Sequence, residues 1–183
     1  MKNLEAAVDA YVAMGSNLDP TIHVLEAGAR LKRFVDVVDV STLYRSLPKG
    51  RPEQPSFVNG VFHIRAAVSP LDLKYHILRK IEADLGRVRD ADKCASRTMD
   101  LDLVLYGDEV AHGDELILPD PDIYRYNHVA VPLLEVAPRL VLPDQKRALS
   151  TLDSAKRLDG LSPLPDLTAQ LKGIIEHGRK TRQ

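Results

Sequence analysis

The spacing of apolar residues changes several times along the chain, and each change marks an element. Ala10 to Met14 is an unbroken apolar run ending at Gly15-Ser16-Asn17, residues tolerant of turn geometry, so it reads as a buried strand followed by a loop. A helix comes next. Asp19 is its expected N-cap, Pro20 sits at the first helical position, and Ile22, Leu25 and Ala29 recur at helical spacing. β-Branched residues over 35–44 predict a second strand and Phe57 to Ile64 a third. Between them, residues 46–55 hold three prolines and a glycine, a stiffened loop of the kind that carries function.

Ser69 followed by Pro70 and Asp72 has the pattern of a capped helix start, and Leu73, Ile77, Leu78, Ile81 and Leu85 supply its buried stripe up to a stop at Gly86. Asp100 to Tyr106 alternates polar and apolar residues at its start and predicts a fourth strand, closed by Gly107-Asp108. A short strand near 116–118, a short helix near 131–136 and a last amphipathic helix through Leu167, Leu171 and Ile175 complete the reading. That last helix is expected to pack on the body or on a second subunit. Strands without regular strand–helix alternation predict an α+β fold, with helices against a largely antiparallel sheet.

At 183 residues the chain has the size of one domain, and 44% hydrophobic with 28% charged residues is ordinary for a globular protein. A formal charge of −1 gives no bulk attraction to nucleic acid or to an anionic membrane, so any phosphate site must be local. One cysteine, Cys94, excludes an internal disulfide and a multi-cysteine zinc site and suits the cytoplasm. Glu5 and Asp9 interrupt the apolar run a secretion signal needs, so the mature protein is expected to be the whole chain, 1–183.

The informative chemistry lies between residues 86 and 102. On a strand, residues two apart face the same way, so Asp100 and Asp102 project together while Leu101 and Leu103 face the core. Two carboxylates on one face call for a shared proton or a cation, and hard oxygen ligands suit magnesium better than zinc. Two solvated acids on an exposed strand face are the competing reading. Arg87, Arg89 and Arg97 shift the balance, because guanidinium forks match phosphate oxygens beside a metal that neutralises them. Neither GxxxxGK[ST] nor GxGxxG after a strand is present, which argues against a P-loop or Rossmann nucleotide site.

Ala13-Met14-Gly15-Ser16-Asn17-Leu18, Tyr44-Arg45, Gln54-Pro55, Phe57-Val58-Asn59, Glu82, Gly86-Arg87-Val88-Arg89, Arg97-Thr98 and Asp100-Leu101-Asp102 follow one another in the order found in hydroxymethyldihydropterin pyrophosphokinases. With Val131-Pro132-Leu133-Leu134-Glu135-Val136-Ala137-Pro138 the resemblance covers about residues 10–143, leaving a C-terminal helical extension over about 150–183 without a matching motif. The resemblance implies a ferredoxin-like sheet with a cleft across it. It implies that Asp100 and Asp102 hold two magnesium ions, and that Arg87, Arg89 and Arg97 bind or gate ATP, with Arg87, Arg97, Asp100 and Asp102 as the catalytic set. Ser46, Leu47, Lys49, Phe57, Asn59 and His128 would bind the reduced pterin. The implied reaction transfers pyrophosphate from ATP to the pterin hydroxymethyl group, in a monomer or weak homodimer whose partners are these small molecules, not nucleic acid or membrane.

Three stretches depart from that pattern. Cys94-Ala95-Ser96-Arg97 stands where an aromatic residue is usual, Leu118-Pro119-Asp120 replaces Leu-Pro-His, and Tyr126-Asn127-His128 replaces Arg-x-Phe, with Arg125 adjacent as a possible substitute. A different pterin alcohol as acceptor, or a non-catalytic pterin- or nucleotide-binding protein, are therefore the alternative readings.

Overall fold

Nine residues, Val8–Ser16, form β1, the strand on which the molecule is organised. In the computed structural model, which describes residues 6–48, 50–88 and 95–177, β1 runs through Gly15 and Ser16. β4 (Phe57–Ala66) pairs antiparallel with β1 from Val8↔Ala66 to Ser16↔Val58, and β5 (Asp100–Tyr106) pairs antiparallel on the other side. The turn-tolerant pair is strand, because β5 pairs with β1 as far as Gly15 and β4 as far as Ser16.

The stretch 35–44, expected as one strand, is two: β2 (Asp36–Val40) and β3 (Tyr44–Ser46), lying end to end along the far edge of β4. Ser41 breaks the run. Its hydroxyl accepts from the Val61 N–H at 3.0 Å and donates to the Thr42 carbonyl at 2.9 Å, so a side chain replaces the ladder there. With β10 (Ser162–Pro163) on β3, the sheet order is β10-β3-β4-β1-β5, with β2 also on β4. Strand, helix, strand, strand, helix, strand: the two βαβ units interleave so that spatial neighbours are antiparallel. This is the ferredoxin-like arrangement, and the alternation that the chain pattern did not reveal is regular once β2 and β3 are taken together.

α1 (Pro20–Phe34) starts with Pro20 as expected, but Asp19 is not a side-chain cap. It adopts a left-handed conformation, φ 44°, and its carbonyl accepts from the Ile22 and His23 N–H groups. The second helical rod comprises α2 (Pro70–Asp72), a π-helical segment Leu73–Leu78 and α3 (Arg79–Asp84). Ser69 caps it, accepting from the Asp72 N–H at 3.1 Å, and Gly86 ends it at φ 80°.

Alternation along β1 divides the interior. Ala10, Val12 and Met14 face a core shared with Val24, Ala27 and Leu31 of α1, Leu78 and Ile81 of the second rod, and Leu167, Leu171 and Ile175 of α7 (Pro165–His177). Each large aliphatic side chain wholly buried here contributes about 1.5–3 kcal/mol by leaving water. Leu43, Leu78 and Ile81 are among those with no exposed surface.

The C-terminal extension packs on the chain's own body. A Cβ on Gly28 would lie 2.5 Å from Leu171 Cδ1, Lys32 Nζ donates to the Ile174 carbonyl at 2.6 Å, and the Leu43 N–H donates to Thr168 Oγ1 at 2.9 Å. Among the described residues no helix is long and apolar enough to cross a membrane.

The opposite sheet face is covered at one end only. Tyr11, Val61, Val104 and Leu105 pack under α4 (Asp122–Arg125), α5 (Asn127–Val136) and α6 (Asp153–Lys156). α5 begins four residues before the predicted helix near 131–136. Small hairpins, β6–β7 (Ala111–His112, Ile117–Leu118) and β8–β9 (Val141–Leu142, Arg147–Ala148), with a 3₁₀ turn Leu149–Thr151, complete the chain. The uncovered end of the face is a cleft.

Candidate active site

Three strands supply the cleft floor. In register, Asn59 of β4, Gly15 of β1 and Asp100 of β5 stand side by side, and Ala13 stands beside Asp102. Small residues in the middle strand keep the floor low between polar residues on its flanks. A Cβ on Gly15 would meet only Asn59 Oδ1 at 3.6 Å and Phe57 Cδ1 at 4.0 Å, so packing alone does not require glycine there. Its absent side chain leaves space in a cavity of about 380 Å³.

At one end the acids and arginines meet. Arg87 Nη1 lies 2.6 Å from Asp100 Oδ1, and Arg97 Nη1 donates to Asp100 Oδ2. Arg87 also donates to the Met99 carbonyl at 3.0 Å and lies 3.9 Å from Glu82, so its guanidinium is turned inward and is not part of the cavity wall. Arg97 does line the cavity, with its Cζ 5.7 Å from the centre of the Phe57 ring.

Asn17 sets the position of that arginine. Its Oδ1 accepts from the Arg97 N–H at 2.7 Å, its Nδ2 donates to Ser96 Oγ at 3.1 Å and to the Pro55 carbonyl at 3.3 Å, and Ser16 Oγ donates to the Thr98 carbonyl at 2.5 Å. The residues that end β1 and follow it thus hold both the segment carrying Arg97 and the proline-rich loop.

Asp102 opens into the cleft, where water reaches it, with protein around its other sides. Desolvation, followed by the charges of Asp100, Glu82 and Asp120, raises its pKa to about 7, against the opposing pull of Arg87. Asp120 is itself raised, chiefly by burial, while the Asp122 N–H donates to its Oδ1 at 2.8 Å. It caps the turn into α4 and adds negative potential to the same floor.

This charge surplus fits a divalent cation. Asp100 and Asp102 offer hard oxygens on one strand face, and among the described residues no group of three or more His, Cys, Asp or Glu is arranged to hold a metal. Two carboxylates alone leave most coordination positions to water and substrate oxygens, which is how magnesium is held with phosphates.

The other end is lined by Ser46, the last residue of β3, by Leu47 and Pro48 after it, by Phe57, and by Tyr126, Asn127 and His128. Asn59 is 6% exposed, and its Nδ2 donates to Ser46 Oγ at 2.8 Å, leaving its carbonyl oxygen on the cavity side near Gly15. Tyr126 and His128 stack, ring centres 5.2 Å apart and planes 16° apart. Glu135 orients their helix by accepting from the Thr42 N–H at 2.7 Å and from the Tyr44 hydroxyl.

Of the site residues expected from sequence, Ser46, Leu47, Phe57, Asn59 and His128 converge at one end of this cavity and Arg97, Asp100 and Asp102 at the other. Arg87 reaches Asp100 from behind. Lys49, Arg89 and Cys94 lie outside the described residues. Arg125 is exposed on α4 and does not line the cavity. Sequence reasoning missed Asp159, Gly160 and Leu161, which come from the extension and form a further wall; no motif marks them.

A model of the 7,8-dihydro-6-hydroxymethylpterin-pyrophosphokinase (HPPK) family matches residues 11–138, which include both ends of this cavity's floor. The chain belongs to this family. Its members are diphosphotransferases, and the chain is an enzyme of that class. It is 38% identical over 142 residues to the 2-amino-4-hydroxy-6-hydroxymethyldihydropteridine pyrophosphokinase of Haemophilus influenzae, covering 76% of this chain and 88% of that protein. To the Pseudomonas aeruginosa protein of the same name it is 39% identical over 158 residues, covering 85% and 96%. A solved Plasmodium falciparum HPPK-DHPS chain shares the fold with a TM-score of 0.62 at 10% identity, covering 85% of this HPPK chain and 44% of that one. The chain thus spans less than half of that solved protein.

Proposed function

We propose that the protein catalyses magnesium-dependent transfer of pyrophosphate from ATP to the hydroxymethyl group of 6-hydroxymethyl-7,8-dihydropterin, in the cytoplasm, as a step of folate synthesis. The observation that carries this reading is the division of one cavity: Asp100, Asp102 and Arg97 at one end, Phe57, Asn59 and the Tyr126–His128 stack at the other. β3 and β5 are three strand spacings apart, about 14 Å. That distance suits an acceptor ring and a polyphosphate laid end to end across β4 and β1.

At the acceptor end, Phe57 offers a ring face, and Asn59 offers a carboxamide whose orientation Ser46 fixes. A bicyclic heteroaromatic ring with an amide-like edge matches both. At the phosphate end, Asp100 and Asp102 would hold magnesium, which when bound neutralises phosphate oxygens and acidifies the attacking hydroxyl. The hydroxymethyl oxygen attacks the β-phosphorus of ATP in line; the bond from the β-phosphorus to the oxygen bridging to the α-phosphate breaks, AMP leaves with that oxygen, and the hydroxyl proton passes to solvent. Arg97, held by Asn17, sets positive charge beside the transferred group. No covalent enzyme intermediate is needed.

AMP release from ATP and magnesium, measured with and without the dihydropterin and with mass spectrometry of the product, tests the reading. Pterin-dependent AMP with a diphosphorylated pterin is expected. The paired ring at Tyr126–His128 is more polar than an apolar sandwich, and it favours a second reading in which a related pterin alcohol is the better acceptor. A small acceptor panel in the same assay separates the two.

A further inference from the structure

The cavity wall formed by Asp159, Gly160 and Leu161 belongs to the C-terminal extension, and three sets of bonds hold it in place. Asn127, first residue of α5, donates through Nδ2 to the Asp159 carbonyl at 2.8 Å and to the Arg157 carbonyl at 3.2 Å. Residues 158–161 close a turn, with the Leu161 N–H on the Leu158 carbonyl at 3.0 Å and Gly160 at φ 75°. Immediately afterwards β10 pairs with β3, Ser162↔Arg45 and Pro163↔Tyr44, and the Leu164 N–H donates to the Leu43 carbonyl at 2.8 Å.

Both attachments lead to the same end of the cleft. Asn127 precedes His128, and the strand that β10 joins is the one ending in Ser46. Asp100 and Asp102 lie on β5, at the other side of the sheet. The Asp159 carboxylate is gripped by its own neighbour, Arg157 Nε to Oδ1 at 3.0 Å and Nη2 to Oδ2 at 2.8 Å. With that side chain engaged, the backbone and the apolar Leu161 are left to face the cavity.

We infer that the strap 157–163 is a specificity-determining wall of the acceptor subsite, and that Asn127 is its positioning residue, linking the strap to the helix that carries His128. The inference rests on the pterin reading of the site. One carboxamide fixes two carbonyls of the strap, so the wall that the strap forms depends on Asn127, which lines the same cavity beside it. A wall anchored at the acceptor end alters acceptor affinity and leaves nucleotide affinity alone.

Equilibrium binding of 6-hydroxymethylpterin, followed by its fluorescence, and of a non-hydrolysable ATP analogue with magnesium tests this on the whole protein. Asn127→Ala is expected to weaken pterin binding about tenfold, as loss of two hydrogen bonds of ordinary net strength allows, with analogue affinity changed less than twofold. Asn127→Gln, which keeps the donor, restores part of the loss. Gly160→Val, at a position where a Cβ meets no neighbouring atom within 4 Å but the backbone disfavours a side chain, gives the same split without removing a hydrogen bond. Unchanged pterin affinity in Asn127→Ala and Gly160→Val, or equal loss of both ligands, overturns the strap's role. A wild-type protein that binds the analogue but no pterin overturns the functional reading and the strap's role with it.

Discussion

Glu82, 1% exposed on α3, accepts a hydrogen bond from the Leu101 N–H at 2.8 Å, so a buried carboxylate holds the backbone between the two acids of β5. The same carboxylate lies 3.9 Å from Arg87, which in turn grips Asp100. One residue outside the cavity thereby sets the backbone and the counter-charge of the pair inside it.

Replacing Glu82 by Ala leaves an N–H without its acceptor and a half-buried arginine short of a partner, at an expected cost of about 3 kcal/mol. Glu82→Gln keeps an acceptor and is expected to lose less than half as much. Urea unfolding measures both; a Glu82→Ala variant within 1 kcal/mol of wild type would remove Glu82 from this role.

Arg97→Ala removes the cavity-side cation that pairs with Asp100 and faces Phe57. A fall in single-turnover rate of about 10²–10³-fold is expected, the usual loss for one preorganised group at a developing anion. Pterin affinity should fall only a fewfold. An unchanged rate and unchanged ATP affinity contradict the assignment.

The raised pKa of Asp102 has a sign that can be checked without metal. The folded protein holds this proton up to about pH 7, whereas the unfolded chain releases it near pH 3.8. Stability therefore falls as pH rises between those values and stays low above them. Asp102→Asn, measured in EDTA, should be more stable than wild type at pH 8, by about 1 kcal/mol because water reaching the carboxyl weakens the effect. The advantage should shrink toward pH 4.5. A gain independent of pH would mean that Asp102 titrates normally. Below pH 7 the same proton competes with magnesium, so apparent magnesium affinity, measured by calorimetry, should fall with pH in wild type.

Gly28 and Leu171 form one contact between α1 and the extension. Gly28→Ala puts a methyl group where Leu171 Cδ1 lies and is expected to cost about 1–3 kcal/mol, and Leu171→Ala about 2–4 kcal/mol through the cavity it leaves. The double variant should be less destabilised than the sum of the two, since one change vacates the space that the other needs. Strict additivity in urea unfolding would place the two residues out of contact in solution.

Local pattern was enough for several elements. The start and stop of β5, the capped start at Ser69, the stop at Gly86 and the last helix are all legible because they depend on neighbours a few residues away. The acidic pair was legible for the same reason: two residues on one strand share a face in any fold. The arginines beside it were legible from their chemistry, and family resemblance added the acceptor residues, several of which meet in one cavity.

Other features needed the tertiary structure, because they depend on what lies opposite. Ser41 splits a strand only because the Val61 N–H is there to donate to its hydroxyl. Arg87 and Arg97 look alike in sequence, yet one is drawn inward by Glu82, Met99 and Asp100 while the other faces the cavity. Asp120 adds to the negative potential at Asp102 through a proximity that no spacing encodes. The wall at Asp159–Leu161 is the clearest case. Its residues have no chemistry of their own to mark them, and they join the site only because β10 finds the free edge of β3 and Asn127 finds two carbonyls. Sequence alone determined which residues carry charge and which faces are apolar; pairing between distant segments decided which of those charges meet.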